Sequence, residues 1–324
     1  MIIIKKIIRN HVELIVIYTE KLIFINSKKL LILKVIVGIP AYNEEANIAK
    51  IIVQLQKITD SILVCDDGSS DLTGEIAEKM GAQVIKHAKN LGYGAAIGSL
   101  FNKAHEIGAD VLVTFDADGQ HRVDDINSVL EPILKNQADI IIGSRFLNNI
   151  DNVPKYRKLG IKVITELTNA TIGNNITDAQ SGFRAYGKNV LQNLRPSEYG
   201  MGVSTEILIK AAKNKFRIKE VPITILYEGD TSTHNPISHG VSVILSTIKY
   251  VAIERPLTFY GIPGVSFLIV GLFFIAWTLQ LYAETNSIIT NVSLIGIGTT
   301  IIGVLLLMTA TILYSTVSIV RERR

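Results

Sequence analysis

The 324-residue sequence predicts an α/β protein with a doubly wound, mainly parallel sheet, followed by juxtamembrane helices and a C-terminal hairpin of two transmembrane helices. The sheet is predicted because short β-branched runs alternate with amphipathic helical segments from residue 34 to about residue 145, a pattern typical of right-handed crossovers. The hairpin is predicted because residues 257–283 and 285–320 contain no charged side chain. Each uncharged run exceeds the roughly 20 residues that cross a bilayer core.

Five apolar runs give the predicted strands: KVIVGIP, SILVCDD, AQVIKH, DVLVTFD and ADIIIGSR. The helices between them begin near residues 44, 72, 94 and 124, and Gly81 and Gly108 end two of them. Asn43 is placed to cap the first helix, whose first turn holds Glu44 and Glu45. The apolar face of this helix repeats at helical spacing: Ile48, Ile51, Ile52, Leu55 and Ile58.

After residue 145 the alternation breaks. Residues 154–173 predict a helix that either lies on a membrane surface or faces the core, and the pattern leaves both open. The stretch SGFRAY supplies Arg184 after a glycine turn, and RIKEVPITILYE predicts a strand. Residues 238–254 predict a second juxtamembrane helix that leads into the hairpin.

The sequence therefore divides into five predicted parts. They are an N-terminal extension (1–33) that is amphipathic or poorly ordered, an α/β domain (34–230), a juxtamembrane interface helix (231–256), two transmembrane helices within 257–320 (about 259–281 and 290–318) and a basic tail (321–324). Lys and Arg flank the outer ends of the hairpin, whereas its turn carries only Glu284. The positive-inside rule then predicts that the α/β domain and the tail are cytoplasmic.

Composition excludes several classes of function. A net charge of +4 without dense Lys/Arg blocks gives no support for nucleic-acid binding. The single cysteine, Cys65, excludes an internal disulfide and fits a reducing compartment. His87, His121, His234 and His239 share no metal-ligand spacing and are interpreted as surface or packing residues. The sequence predicts no oligomeric state.

Acidic side chains follow two of the predicted strands. Asp66 and Asp67 end the second strand, and Asp116 and Asp118 end the fourth. Ligands of open α/β sheets bind at this edge. If the chain stays extended past Asp116, the side chains of Asp116, Asp118 and Gln120 share one face and offer oxygen ligands to Mg²⁺ or Mn²⁺. A solvated turn is the alternative for a lone D-x-D, and the second acidic strand end favours the metal site.

The glycine-rich stretch NLGYGAAIG, residues 90–98, is similar to a dinucleotide-binding fingerprint. Its spacing is G-x-G-x-x-x-G, and the acid expected about 20 residues later falls within the DAD run. A hydride-transfer enzyme is therefore the lesser interpretation. The preferred one is a helix start that needs close approach of another backbone segment.

Six motifs in order resemble the family 2 glycosyltransferases, in their polyprenyl-phosphate branch, to which dolichyl-phosphate mannose synthases belong. The motifs are IPAYNEE (39–45), VCDDGSSD (64–71), NLGYGAA (90–96), DADGQH (116–121), IIGSRF (141–146) and SGFRAY (181–186), and the resemblance spans about residues 34–227. It implies a GT-A-like fold and inverting transfer of one hexose from a nucleotide-sugar to a polyprenyl or dolichyl phosphate, with Mg²⁺ or Mn²⁺ as cofactor. Protein glycosylation is the implied context.

The resemblance also implies roles for individual residues. The nucleotide-sugar site would include Pro40, Tyr42, Glu44, Asp66, Asp67 and Asp116. The metal site would include Asp116, Asp118 and Gln120, and the acceptor phosphate would contact Arg145 and Arg184. Asp118, Arg145 and Arg184 would be the catalytic residues. The late Q-x-x-R-W motif of processive synthases is not found, which argues against polymerisation.

A phosphomonoester acceptor explains why the sequence offers arginines and no obvious base. Its second pKa is about 6, so it reaches the site mostly ionised and needs positioning instead of deprotonation. GDP-mannose is the marginally preferred donor over UDP-glucose or another UDP-hexose, on family analogy. The alternatives are transfer to a protein or glycan hydroxyl, and a catalytically inactive membrane scaffold of the same fold. A pore is disfavoured because neither span carries an ionisable residue.

Overall fold

The structure is a computed structural model that describes residues 2–8, 11–18, 21–26, 29–147, 155–225, 248, 252–253, 255–287 and 289–322. Up to residue 32 the description concerns the backbone. The chain divides into two compact units, Met1–Thr247 and Ile248–Arg324, which are described separately. The predicted interface helix at 231–256 lies mostly outside the described residues, as do residues 323 and 324 of the predicted tail.

The N-terminal extension forms a four-stranded antiparallel sheet of its own. Its strands are β1 (Ile2–Ile8), β2 (His11–Tyr18), β3 (Lys21–Asn26) and β4 (Lys29–Leu33). Each strand pairs with the next one along the chain, as in a meander. No strands were predicted here from the sequence, and the amphipathic character of the extension stays a prediction.

A seven-stranded sheet forms the centre of the first unit in the described part of the chain. Its strands are β5 (Val35–Ala41), β6 (Ile62–Asp66), β7 (Gln83–Lys86), β8 (Val111–Thr114), β9 (Ile140–Ser144), β10 (Arg184–Gly187) and β11 (Ile218–Pro222). Their order across the sheet is β11-β9-β10-β8-β5-β6-β7. Helices cover both faces, and every residue of β5 is buried, as expected for a parallel strand covered on both sides.

The helices of this unit follow the predicted crossovers. They are α1 (Glu45–Leu55), α2 (Thr73–Lys79), α3 (Tyr93–Glu106), α4 (Ile126–Leu134), α5 (Lys155–Ile172), α6 (Lys188–Asn193) and α7 (Val203–Lys213), with a 3-10 turn at Val123–Asp125. Alternate residues of β5 pack into two different hydrophobic clusters. Val37 packs with α1 and α4, and Ile36 packs with α3 and α7. The predicted doubly wound architecture is confirmed.

Strand β10 is the exception to parallel pairing among the described strands of this sheet. It lies antiparallel between β8 and β9, with Arg184 opposite Thr114 on one side and Ile142 on the other. From its sequence this stretch was predicted only as a glycine turn followed by an arginine. Because β10 runs in reverse, it begins at the edge where β8 and β9 end, and the segment before it lies at that edge.

The second unit contains two long apolar helices, α8 (Ile262–Thr285) and α9 (Thr290–Glu322), and a π-helical segment at Leu257–Gly261 precedes α8. The spans long and apolar enough to cross a membrane are Leu257–Thr285 and Thr290–Ile319. The predicted hairpin is confirmed as two candidate membrane spans. Their side chains are mostly exposed, as lipid-facing helices require.

Glycines allow α8 and α9 to pack closely. A Cβ on Gly264 would lie 3.1 Å from the carbonyl oxygen of Gly303, and a Cβ on Gly271 would collide with Thr300. Small residues at such contacts are typical of helix pairs in membranes, because they let the two backbones approach.

Candidate functional site

The loop after β5 begins the candidate site. Pro40 is buried within β5, opposite Cys65 of β6, and Tyr42 is 36% exposed just beyond the strand. Asn43 has a φ of 54°, and its Oδ1 accepts a hydrogen bond from the backbone N–H of Ser70 at 2.9 Å. The prediction that Asn43 caps α1 is wrong, because Glu44 occupies the cap position and the Asn43 side chain joins the loop after β6 instead.

Glu44 lies near the acids that follow β8. Its backbone N–H donates to Thr73 Oγ1 at 2.7 Å, and its Oε2 accepts from Asn47 Nδ2 at 3.0 Å. Burial raises the pKa of Glu44 above its ordinary value, and the negative charges of Asp118, Asp71 and Asp116 add to that rise against the hydrogen bond from Asn47. Several carboxylates therefore lie close enough to influence one another electrostatically.

Asp66 and Asp67 organise the loops beside this region. Asp67 is nearly fully buried and accepts hydrogen bonds from the backbone N–H groups of Leu91 (3.0 Å) and Gly92 (2.8 Å) and from His87 Nδ1 (2.6 Å). Asp66 accepts from the Ser69 N–H at 2.8 Å. Its second oxygen is buried without a hydrogen-bond partner among the described residues, 4.0 Å from Lys86 Nζ.

The glycine-rich stretch is the start of α3, packed against the segment before α7. Gly92 has a φ of 103°, and the Gly94 N–H donates to the carbonyl oxygen of Tyr199 at 2.8 Å. A Cβ on Gly94 would collide with the carbonyl oxygens of Glu198 and Gly200. The interpretation of this stretch as a helix start that needs close backbone approach is confirmed.

Asp116 lies two residues after β8 and is bound on both oxygens. Oδ1 accepts from the Tyr93 hydroxyl at 3.1 Å, and Oδ2 lies 3.2 Å from His121 Nε2. Burial alone would raise the pKa of Asp116, but the hydrogen bonds from His121 and Tyr93 and the positive charge of Arg145 outweigh it and hold that pKa below its ordinary value. Asp116 is therefore kept ionised.

The chain does not stay extended after Asp116, which was the condition for a shared face. It turns at Ala117 and Asp118, and Gly119 has a φ of 73°. Asp118 Oδ1 accepts from the backbone N–H of Gln120 at 3.0 Å, within the turn itself. Asp118 still lies close enough for its charge to raise the pKa of Glu44. The position of Asp118 relative to Glu44 is therefore set by the turn after β8, and not by the alternation of side chains along an extended strand.

His121 and Tyr93 are site residues that sequence reasoning missed. The His121 ring is buried against the rings of Phe115 and Phe183, with centroids 5.7 and 5.2 Å away. Both residues stand inside motifs already singled out, DADGQH and NLGYGAA. The motifs were the available signal, but they do not indicate that the two side chains meet on Asp116.

Arg145 follows β9 and is held by a residue that no pattern predicted. Its Nε and Nη2 donate to the two oxygens of Asp178 at 2.7 Å each, and its backbone N–H donates to Asp178 at 3.2 Å. The charge of Arg145 lowers the pKa of Asp116, so the guanidinium lies within electrostatic reach of the acids. The structure therefore places Arg145 near Asp116, and the charges of Asp116 and Asp118 in turn act on Glu44.

Arg184 has a different environment from the one expected of a phosphate contact. It is 1% exposed, and its guanidinium donates to the carbonyl oxygens of Ser181 (2.8 Å), Ser204 (2.9 Å) and Ala179 (2.7 Å). Burial raises the pKa of Asp178, Arg145 lowers it, and the charge of Arg184 adds to that lowering. These contacts assign Arg184 to the support of the segment before β10, and its predicted contact with the acceptor stays a prediction.

A divalent cation fits the chemistry of this edge. Among the described residues, no three His, Cys, Asp or Glu side chains come together as a ready-made metal centre. The donors here are carboxylates whose charges already raise the pKa of Glu44, so an added cation would relieve their repulsion. Two protein carboxylates completed by phosphate oxygens are the usual environment of Mg²⁺.

Comparisons of the sequence with known proteins find relatives of this chain. The model of glycosyl transferase family 2 matches residues 36–195. The UDP-N-acetylglucosamine dolichyl-phosphate N-acetylglucosaminyltransferase of Methanococcus voltae is 37% identical over 64% of this chain and 89% of its own length. A dolichol-phosphate mannosyltransferase of Pyrococcus furiosus is 36% identical over 59% of this chain and 56% of its own length.

The fold is also similar to that of a solved structure. Glucosyl-3-phosphoglycerate synthase from Mycobacterium tuberculosis, crystallised with Mn²⁺, UDP and phosphoglyceric acid, superposes with a TM-score of 0.53 at 19% identity. The superposition covers 67% of this chain and 78% of that one. The likeness confirms the predicted GT-A-like fold.

Proposed function

Because the chain belongs to glycosyl transferase family 2, in its polyprenyl-phosphate branch, we propose that it transfers a single sugar from a nucleotide-sugar to a polyprenyl phosphate. The observation that carries this proposal is one edge of the sheet at which the charge of Arg145 acts on Asp116. The acceptor phosphate would be bound by the arginine, and the donor diphosphate would be bound through a divalent cation held by the acids.

The acceptor phosphate supplies its own nucleophile. At neutral pH it is mostly ionised, so no side chain has to remove a proton from it. The task of the protein is to hold a phosphate oxygen in line with the anomeric carbon, on the face opposite the leaving diphosphate. Arginine suits that task because its planar fork matches phosphate oxygens. We assign this contact to Arg145.

The donor is proposed to bind along the loops after β5, β6 and β8. Asp116 and Asp118 would hold a divalent cation, with Gln120 in the same turn. When bound, such a cation stabilises the charge that develops on the leaving diphosphate. Tyr93 and His121 keep Asp116 ionised and oriented, and Asp67 fixes the backbone of the glycine-rich loop. Tyr42 and Glu44 line the nucleotide side of this proposal.

The hairpin fits a lipid acceptor. A polyprenyl chain does not leave the bilayer, so the enzyme has to work at the membrane surface, and two candidate spans provide the anchor. The placing of Lys and Arg at the outer ends of the hairpin supports a cytoplasmic catalytic unit. The family of the named relatives supports the acceptor class, whereas their names divide between N-acetylglucosamine and mannose as the sugar.

Parallel incubations test this function and identify the donor together. Membranes containing the full chain are supplied with a polyprenyl phosphate and labelled GDP-mannose, UDP-N-acetylglucosamine or UDP-glucose, and lipid products are extracted. We expect one donor to give an alkali-stable, acid-labile glycolipid, and Asp118→Asn to abolish it. GDP-mannose is the preference from family analogy.

The same incubations separate the alternatives. Labelled protein or glycan formed without lipid phosphate would indicate a hydroxyl acceptor. No transfer from any donor, together with no metal-dependent binding of GDP or UDP by calorimetry, would indicate an inactive scaffold. Full activity in the presence of a chelator would remove the divalent cation from the proposal.

A further inference from the structure

We propose that Asp178 is a positioning residue that fixes the Arg145 guanidinium for the acceptor phosphate. The inference rests on the proposed function, because it assigns Asp178 a role only through the arginine expected to meet the acceptor. Asp178 itself is fully buried and would not touch the substrate.

Asp178 and Arg145 form a bidentate ion pair. Each Asp178 oxygen accepts one guanidinium N–H at 2.7 Å, and the Arg145 backbone N–H adds a third bond at 3.2 Å. A guanidinium has five N–H donors in a rigid plane, so using two of them for a fixed carboxylate also sets the direction of the others. The pair thus fixes both the place and the plane of the charged group.

The segment that carries Asp178 is itself held firmly. Glu220 of β11 accepts hydrogen bonds from the Asp178 N–H at 2.9 Å and from the Thr177 N–H and hydroxyl at 2.8 and 3.0 Å. On the other side, the N–H of Ala179 donates to Thr165 of α5 at 3.2 Å. A strand and a helix therefore clamp three consecutive residues.

Burying these carboxylates costs folding free energy, and a role in orienting Arg145 would account for that cost. Burying a carboxylate is unfavourable, and burial raises the pKa of Glu220, which binds the segment. Asp178 nevertheless stays ionised, because the charge and hydrogen bonds of Arg145 overcome its burial and lower its pKa. A flexible arginine held in advance in the geometry that the reaction needs avoids a loss of freedom when the acceptor binds.

A second pair in the same unit provides a matched control. Arg217 donates its backbone N–H, Nε and Nη2 to Asp139 at 2.8, 3.0 and 2.9 Å, the same three-bond pattern. Asp139 precedes β9, whereas Arg145 follows it, so the two pairs stand at opposite ends of one strand. The control is more exposed than the Asp178 pair, and it lies away from the proposed site.

The test compares Asp178→Asn, Arg145→Ala, their double variant and Asp139→Asn in the full-length protein in membranes. We measure kcat, the KM for the acceptor and the KM for the donor, and calorimetric binding of farnesyl phosphate as a readout that needs no turnover. We expect Asp178→Asn to raise the acceptor KM and the farnesyl phosphate Kd roughly 10- to 100-fold with little change in the donor KM. The double variant should be no worse than Arg145→Ala, and Asp139→Asn should match the wild type.

Other results would overturn the positioning role of Asp178. Wild-type acceptor binding by Asp178→Asn, equal loss for donor and acceptor, or additive effects in the double variant would overturn the positioning role while leaving the proposed function intact. A wild-type protein that neither binds farnesyl phosphate nor transfers sugar to a polyprenyl phosphate would overturn the proposed function and this inference with it. If Asp178→Asn does not fold, Glu220→Gln replaces it, with a smaller rise of the acceptor KM expected and no change overturning the role.

Discussion

The hydroxyl of Tyr93, at the first position of α3, donates to Oδ1 of Asp116 at 3.1 Å. This bond joins the glycine-rich helix start to the acidic turn after β8, two features that lie 23 residues apart in the chain. Burial and the adjacent Asp116 charge hold the pKa of Tyr93 well above its ordinary value, so the phenol remains a donor throughout the working pH range.

Tyr93→Phe should lower kcat while the protein stays folded. The substitution removes one of the donors that keep the pKa of Asp116 low, so ionisation of Asp116 becomes less favourable. A hydrogen bond to a charged group contributes about 1.5–3 kcal/mol. Initial rates from pH 5 to 8 check this, and the acid limb of the profile should move to higher pH. An unchanged profile would show that Tyr93 does not influence Asp116 during turnover.

Gly182→Ala should inactivate the enzyme through a single methyl group. A Cβ at this position would collide with the Asp116 carboxylate and lie 2.6 Å from the Tyr93 hydroxyl. Gly160→Ala in α5 is the matched control, because nothing lies within 4 Å of the added Cβ. Transfer rates and thermal unfolding of both variants in detergent give the comparison. Equal activity of the two variants would contradict the expected crowding of Asp116.

Arg184→Ala should behave first as a folding defect. Three buried carbonyl oxygens would lose the hydrogen bonds that Arg184 donates, and a large buried side chain would be replaced by a cavity. A loss of about 3–5 kcal/mol in the free energy of unfolding is expected, as for other large-to-Ala changes in cores. Thermal unfolding measures it. A stable variant with only a raised acceptor KM would restore Arg184 to the phosphate site.

The contribution of Asp178 to the free energy of unfolding should decrease as the pH is lowered. Its pKa in the folded protein is lowered, so its stabilising effect is complete above the unfolded value of about 3.9 and is lost as pH falls through the folded pKa. The melting temperatures of wild type and Asp178→Asn should therefore differ most at pH 5–7 and converge below pH 4. A difference that grows on acidification would have the wrong sign for an ionised Asp178.

Gly271→Leu should loosen the hairpin, whereas Gly298→Leu should not. A Cβ at Gly271 would collide with Thr300 of α9, but a Cβ at Gly298 would meet nothing within 4 Å. Overpacking of this kind typically costs about 1–3 kcal/mol. Thermal denaturation of both variants in detergent should place Gly271→Leu below the wild type and Gly298→Leu beside it. Equal melting temperatures would show that close packing at Gly271 contributes nothing.

The order of strands and helices between residues 34 and 145 was predictable because each element carries its own period, whereas the four strands before residue 34 were not predicted. The face of α1 that repeats Ile48, Ile51, Ile52 and Leu55 is buried, as its spacing required. The same local reading failed for β10, since nothing in SGFRAY says that its partners are β8 and β9 or that it runs in reverse. Pairing is decided by contacts across the sheet, which a local pattern does not encode.

Site residues that follow strand ends were predictable from the sequence. Residues that hydrogen-bond to them from elsewhere in the chain were not. Asp116, Asp118 and Arg145 follow strand ends, and a shared edge of the sheet brings them together. Asp178 lies 33 residues from Arg145 in a segment without periodicity, so only the folded chain reveals the pair. Arg184 shows the reverse case, because its motif indicated a ligand contact and its burial indicates structural support.

The two apolar spans contain 29 and 30 residues. At 1.5 Å per residue each extends about 43–45 Å, well beyond the roughly 30 Å of a hydrocarbon layer. The surplus length lets the helices tilt until their apolar length matches the thickness of the surrounding hydrocarbon layer, at a modest cost in free energy. The anchor is therefore expected to function in bilayers of differing composition, and reconstitution need not reproduce the native lipid mixture.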